Sequence, residues 1–155
     1  MSVYRKIISM KNLQPVKFLL VEDDDAHASL IMYAFKDHKI TNEIDRLING
    51  NEVIKYLRKE GEYKDKTLPG VILLDLNIPG KDGIEVLDEI KKDKDLRHIP
   101  VVVLTTSRSL MDRQNAYKQY VNSYLVKPVD FDDFHEMIKE MGTYWSNWNV
   151  PSHDE

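Results

Sequence analysis

Two runs of this chain, Val71-Ile72-Leu73-Leu74 and Val101-Val102-Val103-Leu104, are apolar at every position. A strand with one solvated face alternates polar and apolar residues, whereas an unbroken apolar strand is covered on both faces. Lys17-Phe18-Leu19-Leu20-Val21 reads as another buried strand of this kind. A weaker strand is expected near Glu43 to Ile48 and a short one at Ser123-Tyr124-Leu125-Val126. Helical patterns lie between them. The first carries Ala26, Leu30, Ile31, Ala34 and Phe35, and the second follows an Asn49 N-cap with Val53, Ile54 and Leu57, ending before Gly61. Gly83 opens a third with Val86, Leu87 and Ile90 on one face. A polar helix is expected from about Ser109 to Gln119, and a last one from Asp130 or Phe131. Strand and helix alternate five times. The expected fold is therefore α/β, a doubly wound sheet of five parallel strands.

In such sheets, sites form outside the carboxyl ends of the strands. The first strand ends on Glu22 and Asp23, the third on Asp75, the fourth on Thr105 and Thr106, and the fifth on Lys127. Acidic turns after strands are in themselves ordinary signals of a helix start, and a lysine before a proline is ordinarily a loop residue. Their joint placement at one sheet edge carries the functional reading. Clustered carboxylates repel by roughly 4 kcal/mol per pair at about 4 Å and an effective dielectric near 20. A hard divalent cation relieves this, and an oxygen-only ligand set with room for water favours Mg²⁺. Cation and Lys127 together would leave Asp75 free to attack phosphorus as a carboxylate nucleophile.

Composition narrows the remaining classes. A formal net charge of −4 lacks the basic footprint of sequence-independent nucleic-acid binding. With no cysteine, disulfides, thiolate metal sites and cysteine nucleophiles are excluded. No apolar run approaches a membrane span, and Ile7-Ile8 after Arg5-Lys6 is too short for a signal peptide's apolar core. A cytoplasmic location is expected, with Met10 an alternative start to Met1. His27, His38, His98, His135 and His153 are scattered and are read as carrying no site.

The pieces FLLVEDD, VILLDLNIPGKDG, IPVVVLTTS and SYLVKP together resemble the receiver domain of bacterial response regulators, a flavodoxin-like fold in two-component signalling. The resemblance covers about residues 16–142, between a leader (1–15) and a C-terminal helix extension and tail (143–155). It implies that Asp75 accepts a phosphoryl group from a histidine kinase, with Glu22, Asp23, Asp75 and the Asn77 carbonyl as metal ligands. Thr105 would be the hydroxyl that turns to the phosphoryl group, Tyr124 the aromatic switch, and Lys127 the phosphoryl-oxygen partner. A cis Lys127–Pro128 bond is also implied. The protein would be a signalling phosphoacceptor, its only chemistry self-phosphorylation and autodephosphorylation. The loop LRKEGEYKDKTLPG looks most like the small single-domain regulators that partner bacteriophytochromes and related sensor kinases. Tyr120-Val121-Asn122 departs from the Gly-Ala pair that most receivers carry before the switch aromatic.

Phe131, Phe134, Ile138, Met141, Trp145 and Trp148 recur at spacings of three and four, a stripe longer than one sheet face needs. Two readings follow: Trp145 folds back onto the domain, or the stripe forms a homodimer interface. Two other functions share parts of this pattern and fail on the rest. A haloacid-dehalogenase-type phosphatase would place its nucleophile after the first strand, leaving Asp75 unexplained. A flavin carrier of this architecture needs a phosphate loop where Glu22-Asp23-Asp24 would repel the ligand.

Overall fold

The structure, a computed structural model, describes residues 15–150. Five strands, β1 (Phe18–Val21), β2 (Ile44–Leu47), β3 (Val71–Leu74), β4 (Val101–Thr105) and β5 (Ser123–Val126), form one sheet. Their order is β2-β1-β3-β4-β5 and every pairing is parallel, as expected for the doubly wound sheet. Helices α1 (Asp25–Asp37), α2 (Asn51–Leu57), α3 (Gly83–Lys92), α4 (Leu110–Lys118) and α5 (Phe131–Thr143) alternate with the strands.

Side chains alternate across a strand, so each central strand feeds two cores. Leu19, Val21, Ile72, Leu74, Val101 and Val103 pack with Val53 of α2, Leu87 of α3 and Ala116 of α4. Phe18, Leu20, Val71, Leu73, Val102 and Leu104 pack with Ile31 and Phe35 of α1 and Phe134 and Ile138 of α5. None of these strand side chains is more than 2% exposed. Fully burying each contributes roughly 1.5–3 kcal/mol, which explains why no polar residue interrupts the runs. The edge strands are less covered, β5 being half-buried throughout, and their sequence pattern is correspondingly weaker.

Several local expectations shift. Ala28, not Ala26, joins Ile31, Ala34 and Phe35 on the buried face of α1. Asn49 supplies the capping bond of α2, its Oδ1 accepting from Asn51 N–H at 2.8 Å, while Gly50, one residue on, stands at the helix boundary. A Cβ on Gly50 would lie 1.9 Å from the Lys81 carbonyl oxygen, so only glycine fits beside the loop after β3. The chain leaves α2 at Arg58 and reverses through Lys59 (φ 58°), and Gly61 (φ 55°) opens a separate 3₁₀ turn.

Gly142 does not break α5. It allows α5 to approach α1, since a Cβ there would lie 2.9 Å from Ile40 Cδ1 and 3.1 Å from Phe35 Cε1. The helix then widens into a π-helical turn, Tyr144–Trp148. This turn splits the aromatic stripe. Trp145 swings into the core at 7% exposure, while Trp148 stays outside at 74%. No helix among the described residues is long and apolar enough to cross a membrane. The leader, up to residue 14, lies outside the described residues.

Candidate functional site

Three of the charged residues singled out above stand one step past a strand, each held by one further ladder bond. Glu22 N–H donates to Leu47 O (3.0 Å), Asp75 N–H to Val21 O (3.1 Å), and Lys127 N–H to Thr105 O (2.8 Å). The sheet itself therefore fixes their backbones, and their side chains converge. Lys127 Nζ donates to Glu22 Oε1 and, at 3.0 Å, to Asp75 Oδ2. Glu22, Asp75, Thr105 and Lys127 are all buried, whereas Asp23 is exposed at the mouth. Glu22, Asp23 and Asp75 each offer a carboxylate oxygen within 4.8 Å of the others.

One ammonium faces three acids. Burial, and secondarily the charge of Asp75, push the Glu22 carboxyl up to about 7 despite its bond to Lys127. The pocket is thus short of positive charge, and its donors are all oxygens. That set fits a hard divalent cation entering past Asp23.

The loops around the pocket are pinned. Asp24 caps α1 by accepting from His27 N–H at 3.0 Å, so the acidic turn serves both as cap and as pocket wall. Asn77, itself exposed, donates its backbone N–H to Asp75 Oδ1 at 3.1 Å and orients the carboxylate. Gly83 lets α3 start hard against the end of β3, since a Cβ there would lie 2.5 Å from Leu76 Cα and 2.7 Å from the Asp75 carbonyl oxygen. The Lys127–Pro128 bond is trans, and no cis peptide occurs among the described residues, contrary to the expectation for that pair.

Thr105 and Tyr124 meet at one residue. Ser107 N–H donates to Thr105 Oγ1 (3.3 Å), and the Tyr124 hydroxyl donates to Ser107 O (3.0 Å). Ahead of Tyr124, the unusual Tyr120 adopts φ 61° and is 79% exposed, and Asn122 ties the loop to Val101 through its N–H and Oδ1. The bulk at Tyr120 therefore points away from the sheet.

Sequence reasoning missed three contributors. His27, read as carrying no site, places Nδ1 2.9 Å from Lys127 Nζ and 3.8 Å from Glu22 Oε1. Its signal was position alone, one helical turn past the acidic pair. Arg46 on β2 donates to the Glu22 carbonyl and to Asp25 Oδ1, both at 2.9 Å, bracing the acidic turn from the neighbouring strand. Ser107 is the third.

The sheet order, the acidic pocket and the strand-end lysine define a receiver. The chain belongs to the response regulator receiver domain family, whose profile matches residues 18–139. It is 48% identical to the probable methanogenesis regulatory protein FilR2 of Methanothrix harundinacea, over 87% of this chain and 86% of that protein. It is 42% identical to response regulator Rcp1 of Synechocystis, over 84% of this chain and 89% of that protein. The crystal structure of the phosphorylated cyanobacterial phytochrome response regulator RcpA superimposes with a TM-score of 0.86 at 38% identity, covering 90% of this chain and all of that one. This is a response regulator receiver close to phytochrome response regulators. The phosphatase and flavin-carrier alternatives are not favoured.

Proposed function

We propose that Asp75 is the phosphoacceptor and that Glu22, Asp23, Asp75 and the Asn77 carbonyl hold Mg²⁺. The observation that carries this reading is the buried Asp75 carboxylate, shared between Lys127 and the Asn77 N–H at the mouth of an oxygen-only acid pocket. Bound Mg²⁺ would neutralise the acids and polarise the phosphoryl oxygens. The Asp75 carboxylate attacks phosphorus, forming an O–P bond as the N–P bond of the kinase's phosphohistidine breaks and the imidazole departs. Lys127 shifts its ammonium from Asp75 to the incoming phosphoryl oxygens. The Thr105 hydroxyl turns toward the same group, and the signal passes through Ser107 to Tyr124.

The donor is a sensor histidine kinase of the bacteriophytochrome-like class, a reading supported by the likeness to the bacteriophytochrome response regulators RtBRR and AtBRR. RcpA, a cyanobacterial phytochrome response regulator, and a Mn²⁺-bound form of Rcp1 support the kinase class and a divalent ion. Residues 16–142 form the switch unit, and the extension 143–155 carries self-association through the exposed Tyr144 and Trp148. Incubation with acetyl phosphate and Mg²⁺ tests the reading. Labelling is expected with Mg²⁺ and not with EDTA, and label acquired equally in EDTA would overturn the metal assignment.

A further inference from the structure

Away from the acid pocket, α1 and α5 bring two imidazoles and a carboxylate together. Asp37 ends α1 and His38 caps it, its N–H bonded back to Ala34 O, while His135 sits in the second turn of α5. His38 Nε2 lies 3.2 Å from His135 Nδ1, and Asp37 Oδ2 lies 3.1 Å from His135 Nε2 and 3.9 Å from His38 Nε2. We propose that Asp37, His38 and His135 form a second metal site, one for a borderline transition ion such as Zn²⁺.

Each feature of the cluster favours nitrogen-binding metals over Mg²⁺. Imidazole suits Zn²⁺, Cu²⁺ and Ni²⁺, while the Glu22, Asp23 and Asp75 cluster offers carboxylate oxygens. With metal–nitrogen bonds of about 2.0–2.1 Å, adjacent tetrahedral ligands stand roughly 3.3 Å apart, close to the 3.2 Å separation of the two imidazole nitrogens. The three residues each offer one ligand atom within 4.8 Å of the others, and a fourth position is left for water. The rings are also held. His135 packs between Tyr33 (5.7 Å) and Phe131 (5.9 Å), with its centroid 4.5 Å from that of His38.

A cap and a surface ion pair explain less. A histidine at a helix C-terminus and an Asp37–His135 pair are each favourable, yet neither requires two imidazoles to face each other nitrogen to nitrogen. Without an ion, that contact needs a proton on one ring and a lone pair on the other. A cation that accepts both lone pairs replaces it with two bonds and fastens α1 to α5.

The test is Zn²⁺ titration of the full chain, by competition with a chromogenic chelator, in millimolar Mg²⁺ to occupy the acid pocket. Expected is one saturable equivalent at micromolar or tighter affinity, weakened about tenfold or more in His38→Gln and in His135→Gln. The imidazole NMR signals of His38 and His135 should move with zinc in the parent chain. Substitutions at these positions, both at the rim of the α1–α5 contact, should leave the fold intact, which circular dichroism checks. Binding that is only millimolar, that survives both substitutions, or that leaves both imidazoles unmoved overturns the proposal.

Discussion

Lys127 Nζ lies 3.0 Å from Asp75 Oδ2 although the two residues are 52 positions apart and the whole of β4 lies between their strands. The contact follows from topology. β3 and β5 end at the same sheet edge, and Thr105 at the end of β4 holds Lys127 through its carbonyl. An acid on one strand and a base two strands away can then share a buried pocket, with Glu22 closing it from β1. In the proposed reaction a phosphoryl group arriving at Asp75 would take Lys127 as its own partner, and that change of partner would be what the rest of the domain reads.

Thr105→Ala should leave phosphorylation of Asp75 in place while weakening its transmission. Removing the hydroxyl frees Ser107 N–H from its acceptor and uncouples the Tyr124–Ser107 bond from the pocket. Phosphorylation-dependent NMR shifts of Tyr124 should shrink severalfold. Shifts as large as in the parent chain would show that the route bypasses Thr105.

The opposite edge of the sheet predicts acid sensitivity. Asp45 accepts from the Tyr56 hydroxyl (2.5 Å) and pairs with the buried Lys17 (3.0 Å) and with Lys66 (3.4 Å). Burial alone would raise its carboxyl, but the bonds from Tyr56 and Lys17 prevail and hold it below the usual 3.8. A depressed folded-state value means stability that is fully present above the unfolded value and is lost as pH falls through the folded one. Asp45→Asn should cost about 2–3 kcal/mol at neutral pH, since Lys17 is left without its anion, and should flatten the acid limb of the stability curve. Urea unfolding at a series of pH values measures both. An unchanged slope below pH 4 would remove Asp45 as its source.

How much of this was legible beforehand depends on what each residue must satisfy. Val71–Leu74 and Val101–Leu104 are dictated by burial on two faces, so their pattern admitted one reading. Asp75 and Lys127 were legible because each follows such a run. Ala26 and Ala28 differ little in a linear pattern, and only the direction of α1 over the sheet chooses Ala28. The start of α2 depends on the Lys81 backbone, 31 residues from Gly50 in sequence, which local cap rules do not see. His27, His38 and His135 looked scattered because their partners lie on other elements, about a hundred residues off in two cases. Trp145 and Trp148 share a stripe in an ideal helix, and the π turn gives them different fates.

Trp148 supplies the prediction for assembly. With Trp145 committed to the core, the surface left is Tyr144 (51% exposed), Trp148 (74%) and Val150 (52%). Burying it on a two-fold copy contributes roughly 25 cal/mol per Å², against a substantial association cost, so a weak dimer is expected. Trp148→Ala should turn a micromolar dimer into a monomer in sedimentation equilibrium without changing the thermal midpoint. An intact chain that is monomeric at high micromolar concentration would contradict the dimer.

The central claim is that Asp75 receives the phosphoryl group, and mapping the acyl phosphate addresses it most directly. The chain is treated with acetyl phosphate and Mg²⁺, the acyl phosphate is reduced with borohydride, and the trapped residue is located by tandem mass spectrometry. The modification should fall on Asp75 alone and vanish in Asp75→Asn. Modification at Glu22, Asp23 or any other residue in the parent chain, with Asp75 unmodified, would contradict the account.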